Sequence, residues 1–169
     1  MSANLTPTAR LIEQLESNWP EAATPTMRIS VMTQRLARFL QAQARKVLPQ
    51  FDLSFTEFEF LAALRGAPER ILTPSQLYDA ALLSSGGTTK VLKHLEARGL
   101  IDRPSSTGDA RSRPVRLTPT GCETIERAMA ALQSADAELL GVRGRETEAD
   151  RSASAIADIL ERAERMMIP

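Results

Sequence analysis

One cysteine, one histidine and one tryptophan in 169 residues leave little from which to build conventional chemistry. A single cysteine makes no internal disulfide, which suits a reducing compartment. A single histidine, His94, supplies neither a His-based metal cluster nor a Ser-His-Asp triad. There is no P-loop and no G-x-G-x-x-G, Gly86-Gly87 being only a helix start. No enzyme, no metal and no cofactor are expected. No apolar run approaches the roughly 18 residues of a membrane span, and the N-terminus lacks the charged and apolar regions of a signal peptide, so a cytoplasmic chain without membrane contact is expected. Net charge is missing too, with 21 basic against 21 acidic residues.

What is present is organisation between Leu72 and Gly121. Thr73-Pro74-Ser75-Gln76 offers a hydroxyl N-cap, a proline at the first helical position and a glutamine that reaches back, so a short helix is predicted from Pro74 to about Ala81. Ser84 or Ser85 caps a second helix, to about Arg98, whose Thr88, Val91, Leu92 and Leu95 recur at helical spacing. Gly99 suits the left-handed residue after it, with Leu100 packing back on Leu95. Alternation in Ile101-Asp102-Arg103 and Val115-Arg116-Leu117, joined by the turn-rich Pro104 to Asp109, predicts a β-hairpin.

The second helix keeps Ser85, Gly86, Thr89, Lys90 and Lys93 on one exposed stripe. Small and hydroxyl residues let the backbone approach the floor of a major groove, and lysines meet phosphates; the alternative is the plain polar face of any amphipathic helix. Ser75, on the preceding helix, joins the candidate DNA surface. Residues 84–117 hold seven Lys and Arg (Lys90, Lys93, Arg98, Arg103, Arg111, Arg113, Arg116) against three acids (Glu96, Asp102, Asp109). That surplus of four, in a neutral chain, is the footprint of a duplex-binding face rather than of evenly spread charge. Arg111 and Arg113, two apart on one face of the hairpin, can both be offered to a narrow minor groove.

The combination of LTPSQL, LSSGGTTKVLKHLEARGLI, Asp109-Ala110-Arg111 and VRLTPTG resembles the MarR family of bacterial transcriptional regulators over about residues 50 to 130. The resemblance implies a homodimeric winged-helix repressor with the second helix in the major groove, Arg111 at the wing tip near the minor groove, and a small-molecule effector. The fold class is therefore mostly α with a small β wing, a winged helix-turn-helix flanked by dimerisation helices. The expected plan is one domain of 1–169, with N-terminal helices over 5–49, the DNA-binding lobe over 50–118 and C-terminal dimerisation helices over 119–169.

The flanks agree. Val31, Met32, Leu36, Phe39, Leu40 and Val47 form an apolar stripe on a long helix over 28–48 closed by Pro49. Ser54 to Glu57 is a capping box, with Leu53 and Phe58 as a hydrophobic staple, opening a helix through Leu64. Thr118-Pro119 opens another helix to about Leu140, and a last one from Glu146 carries Ile156, Ile159, Leu160 and Met167. Such stripes pack within the chain or against a twin, and two-fold DNA half-sites favour the twin.

Two oddities remain. Cys122, in the first turn of a helix, is either a small packed side chain or a thiol activated by the helix N-terminus. Trp19 is either a lid on the core or, by resemblance to the urate-responsive members of the family, part of a ligand site. Those members add an aspartate, where this chain has Glu59, an arginine in the second helix, where it has Val91, and a further arginine matched by Arg103. The departures put urate itself in doubt and leave a site for a flat aromatic ligand drawn from Trp19, Met32, Phe39, Phe58, Glu59 and Arg103. Alternatives from other classes are a cysteine-based redox sensor and a winged-helix module that binds protein without DNA.

Overall fold

The computed structural model describes residues 5–80, 85–104 and 114–167, the side chains of 80 and 85–88 excepted. The chain forms two compact units, residues 1–46 and 47–169.

The first unit is helical. Helix α1 (Pro7–Asn18) starts where Thr6 caps it, accepting from the Ala9 amide, with proline at the first position, and stops at Trp19 before Pro20. Helix α2 (Pro25–Val47) starts the same way, Thr24 Oγ1 accepting from the Met27 amide at 3.2 Å. It begins three residues earlier than the apolar stripe alone indicates, because the Thr24-Pro25 cap lies outside that stripe. Arg28 pairs with Glu16 at 2.8 Å and Arg35 donates to Thr8 Oγ1 at 3.2 Å, tying α2 to α1. Pro49 cannot continue a helix, and the chain tightens into a 3-10 turn over Leu48–Phe51.

In the second unit α3 (Phe55–Gly66) opens on the Ser54/Glu57 capping box, both hydrogen bonds of which are formed. There follow strand β1 (Ile71–Leu72), α4 (Pro74–Ala80), α5 (Ser85–Ala97), β2 (Ile101–Asp102), β3 (Val115–Leu117), α6 (Pro119–Leu139) and α7 (Glu146–Met167). The strands form an antiparallel sheet in the order β1-β3-β2, with Asp102 opposite Arg116 and Leu72 opposite Val115. Strand β1 escapes sequence reasoning because two residues cannot show alternation; only pairing with β3, more than 40 positions later, makes them a strand. Arg103, predicted as strand, lies just past the end of β2.

The core lies where α3 meets α6, α4, α5 and the sheet: Phe60, Leu61 and Leu64 of α3, Leu77 of α4, Leu92 and Leu95 of α5, Ile101, Val115 and Leu117 of the strands, and Ile125 of α6 are all buried. Each such side chain contributes about 1.5–3 kcal/mol. In contrast, every described residue of α7 from Asp150 onward is exposed.

One junction explains the threonine and glycine after β3. Thr118 donates its amide to the Leu100 carbonyl at 3.1 Å and its hydroxyl to the Gly99 carbonyl at 2.7 Å, while Oγ1 accepts from the Gly121 amide at 3.0 Å as the cap of α6. A Cβ at position 121 would lie 2.0 Å from the Leu100 carbonyl oxygen, so only glycine fits. The Val115-to-Gly121 motif therefore fastens α6 to the end of α5.

Candidate nucleic-acid interface

Helix α4 is capped as its sequence predicts: Gln76 Oε1 accepts from the Thr73 amide at 2.8 Å, and Thr73 Oγ1 accepts from the Gln76 amide at 3.3 Å. Helix α5 ends in a Schellman stop. Leu100 N–H reaches the Leu95 carbonyl at 3.0 Å, Gly99 N–H reaches that of Glu96 at 2.9 Å, and Gly99 has φ 68°. Buried Leu92 and Leu95 hold one side of α5 against the core, and Thr89, Lys90 and Lys93 are exposed on the other. Ser75 is exposed on α4. Ser85 and Gly86 form the first turn of α5. Arg111 and Arg113 lie outside the described residues.

The geometry divides the basic residues into two groups. Arg98 donates to the carbonyls of Asp52 and Phe51 and lies 3.3 Å from the Asp52 carboxylate. Arg103 pairs with Glu96 at 3.4 Å, and Arg116 makes two hydrogen bonds to Asp102 across the strands. Lys90 and Lys93 make no ion pair among the described residues. The free positive charge on the described face therefore belongs to α5 alone, a narrower footprint than the residue count implied.

A polar cluster missed by sequence reasoning joins α5 to α3. Glu57 is 5% exposed. Its Oε2 accepts from both the Ser54 amide and the Ser54 hydroxyl at 2.7 Å, and its Oε1 is 2.5 Å from His94 Nδ1 and 3.9 Å from Arg98. Burial pushes the Glu57 carboxyl up, but the hydrogen bonds from Ser54 and His94 outweigh it and hold the group below its usual value. The capping box announced Glu57; its partner 37 residues away left no mark in the sequence.

The residues proposed for a ligand fall in both units. In the first, Trp19 and Phe39 are exposed, and Met32 lines a groove of about 420 Å³ between α1 and α2 with Leu5, Ile12 and Glu16. In the second, Phe58 is buried and stacks on Phe55 with centroids 6.4 Å apart, while burial raises the carboxyl of neighbouring Glu59. Arg103 is held by Glu96 as above. Cys122 is buried, and its thiol donates to Glu126 Oε1 at 3.3 Å, the same oxygen that accepts from Arg65.

A family model described as MarR family matches residues 51–112. The HTH-type transcriptional regulator PecS of Dickeya dadantii is 31% identical over 121 residues, 70% of this chain and 72% of that protein. The HTH-type transcriptional repressor Rv2887 of Mycobacterium tuberculosis is 31% identical over 106 residues, 63% of this chain and 75% of that protein. The solved structure of the same Rv2887 with p-aminosalicylic acid aligns at a TM-score of 0.63 and 27% identity, covering 76% of this chain and 97% of that one. Sco3205 of Streptomyces coelicolor, solved in complex with DNA, is similar in fold, with a TM-score of 0.67 and 20% identity over 83% of this chain and 88% of that one.

Proposed function

The chain belongs to the MarR family of transcriptional regulators, and we propose that it is a homodimeric, cytoplasmic repressor that leaves its operator when a small aromatic ligand binds. The observation that carries this is the exposed Thr89-Lys90-Lys93 face of α5, backed by buried Leu92 and Leu95 and ending in a defined stop. A helix packed on one side and bare on the other is a reading head for a major groove, with Thr89 and Lys90 toward bases and Lys93 toward a phosphate, while its start at Ser85 and Gly86 and Ser75 of the preceding α4 complete the DNA surface. Arg111 and Arg113 take the minor groove. Two such heads, as a palindromic operator requires, call for a twin, and the bare stripe of Ile156, Ile159 and Leu160 on α7 is the surface offered to it. No step of this activity is enzymatic.

For the effector, the proposed contacts in the first unit are exposed Trp19 and Phe39 with Met32 in its groove, and the p-aminosalicylic acid held by Rv2887 supports an aromatic acid as the class. Ligand acts by population shift, favouring a spacing of the two α5 helices that no longer matches successive major grooves.

Anisotropy titrations on a duplex selected from a random pool test this, repeated across salt concentrations and then with salicylate while Trp19 fluorescence is followed. Affinity falling steeply with salt, and quenching accompanied by DNA release that is weakened in Trp19→Phe, are the expected results. No binding to any duplex would leave the winged helix as a protein-interaction module, and release unchanged in Trp19→Phe would remove Trp19 from the ligand site.

A further inference from the structure

We propose that the imidazolium of His94, oriented by the buried carboxylate of Glu57, binds a DNA backbone phosphate beside Lys90, so that DNA affinity depends on pH as well as on salt. This rests on the DNA-binding role of α5 and adds to it a residue that its polar stripe does not contain.

The geometry assigns the proton. An ionised carboxylate only accepts, so the 2.5 Å contact from His94 Nδ1 to Glu57 Oε1 makes Nδ1 the donor. Glu57 cannot turn away, because Ser54 holds its other oxygen with two hydrogen bonds. With Nδ1–H committed inward, the neutral ring presents a bare Nε2 lone pair, which repels a phosphate; the protonated ring presents Nε2–H, which binds one. The His94 side chain is 58% exposed, and among the described residues no group hydrogen-bonds Nε2.

Position places that donor on the DNA side. His94 follows Lys90 by four residues, one turn and about 40° around the helix, at the edge of the exposed face. The charged groups that bear on the ring are its partner Glu57 of α3, Lys90 and Lys93 of α5, and Arg98, just past α5, which reaches both Glu57 and Asp52. Arg98 is drawn off by Asp52 and the Phe51 and Asp52 carbonyls, and approaches Glu57 only to 3.9 Å. Glu57 therefore remains the counter-charge of His94, and a phosphate arriving from the open side adds a second one. DNA binding then favours the protonated ring and is coupled to proton uptake.

The test is anisotropy on the selected duplex at pH 6.0 and 8.0, in two salt concentrations, with wild type, His94→Gln and His94→Arg. Glutamine keeps a donor for Glu57 without charge, and arginine is charged at both pH values. Wild type should bind about tenfold more tightly at pH 6.0, both variants should lose most of that difference, and at pH 6.0 His94→Gln should lower the salt slope by about one per protomer. Wild type and His94→Gln sharing one pH dependence and one salt slope would overturn the inference, as would a uniform loss at both pH values tracking a lower melting temperature. No binding by any of the three at either pH would instead remove the DNA-binding role itself.

Discussion

Replacing Gly121 by alanine measures how tightly α6 is fastened to the end of α5. An alanine Cβ would lie 2.0 Å from the Leu100 carbonyl oxygen, 2.8 Å from Leu117 Cδ1 and 2.9 Å from the Leu100 carbonyl carbon. The first distance is roughly 1.5 Å short of ordinary van der Waals separation, and the obstacle is backbone, which cannot swing aside. The first turn of α6 must retreat from β2, stretching the hydrogen bonds from the Thr118 amide and hydroxyl to Leu100. Overpacking costs about 1–3 kcal/mol and the weakened hydrogen bonds about 1 kcal/mol more. Alanine returns about 1 kcal/mol through its better helix propensity. The net loss is about 1–3 kcal/mol, a fall in Tm of about 2–12 °C for a chain of this size. Because Leu100 closes the Schellman stop of α5, the same shift should weaken operator binding by more than the loss of folded protein explains. Circular dichroism melts read the first effect, and anisotropy well below the variant's Tm reads the second. A variant melting at or above wild type would show that helix propensity dominates and that α6 does not press on Leu100.

Three further perturbations probe other parts of the chain. Lys93→Ala should weaken binding to all duplexes and lower the salt slope by about one, whereas Lys90→Ala or Thr89→Ala should cost about 1–3 kcal/mol more on the selected operator than on random DNA; equal losses on both duplexes would remove base reading from α5. Deleting residues 146–169 removes the exposed Ile156, Ile159 and Leu160 and should yield a monomeric or insoluble chain without operator binding, which sedimentation checks; a soluble dimer would place the interface elsewhere. Asp136 buries an Oδ1 that has no hydrogen-bond partner among the described residues, and burial raises its carboxyl, so ionisation destabilises the fold as pH rises past the ordinary carboxylate range. Asp136→Ala should therefore raise stability at pH 7 by about 1 kcal/mol, with the gain shrinking toward pH 3 as the wild-type carboxyl becomes protonated. A lower Tm at pH 7 would mean that this oxygen meets a donor in the dimer.

Local chemistry was legible because it is written in neighbouring residues. The caps at Thr73, Ser54 and Thr118, the left-handed Gly99 and the apolar spacing of Leu92 and Leu95 each depend on positions a few residues apart, and each lies where sequence reasoning placed it. The Thr89-Lys90-Lys93 face follows from the same periodicity, since burying one side of a helix exposes the other. Tertiary structure decided what depends on distant partners. It made Ile71–Leu72 a strand by pairing it with β3, and it set Gly121 against the Leu100 carbonyl. It also paired Arg98, Arg103 and Arg116, which the sequence counted toward the basic surplus, with Asp52, Glu96 and Asp102. Most consequentially it brought His94 to Glu57, because sequence reveals that a carboxylate caps a helix but not which side chain the fold will place against its second oxygen.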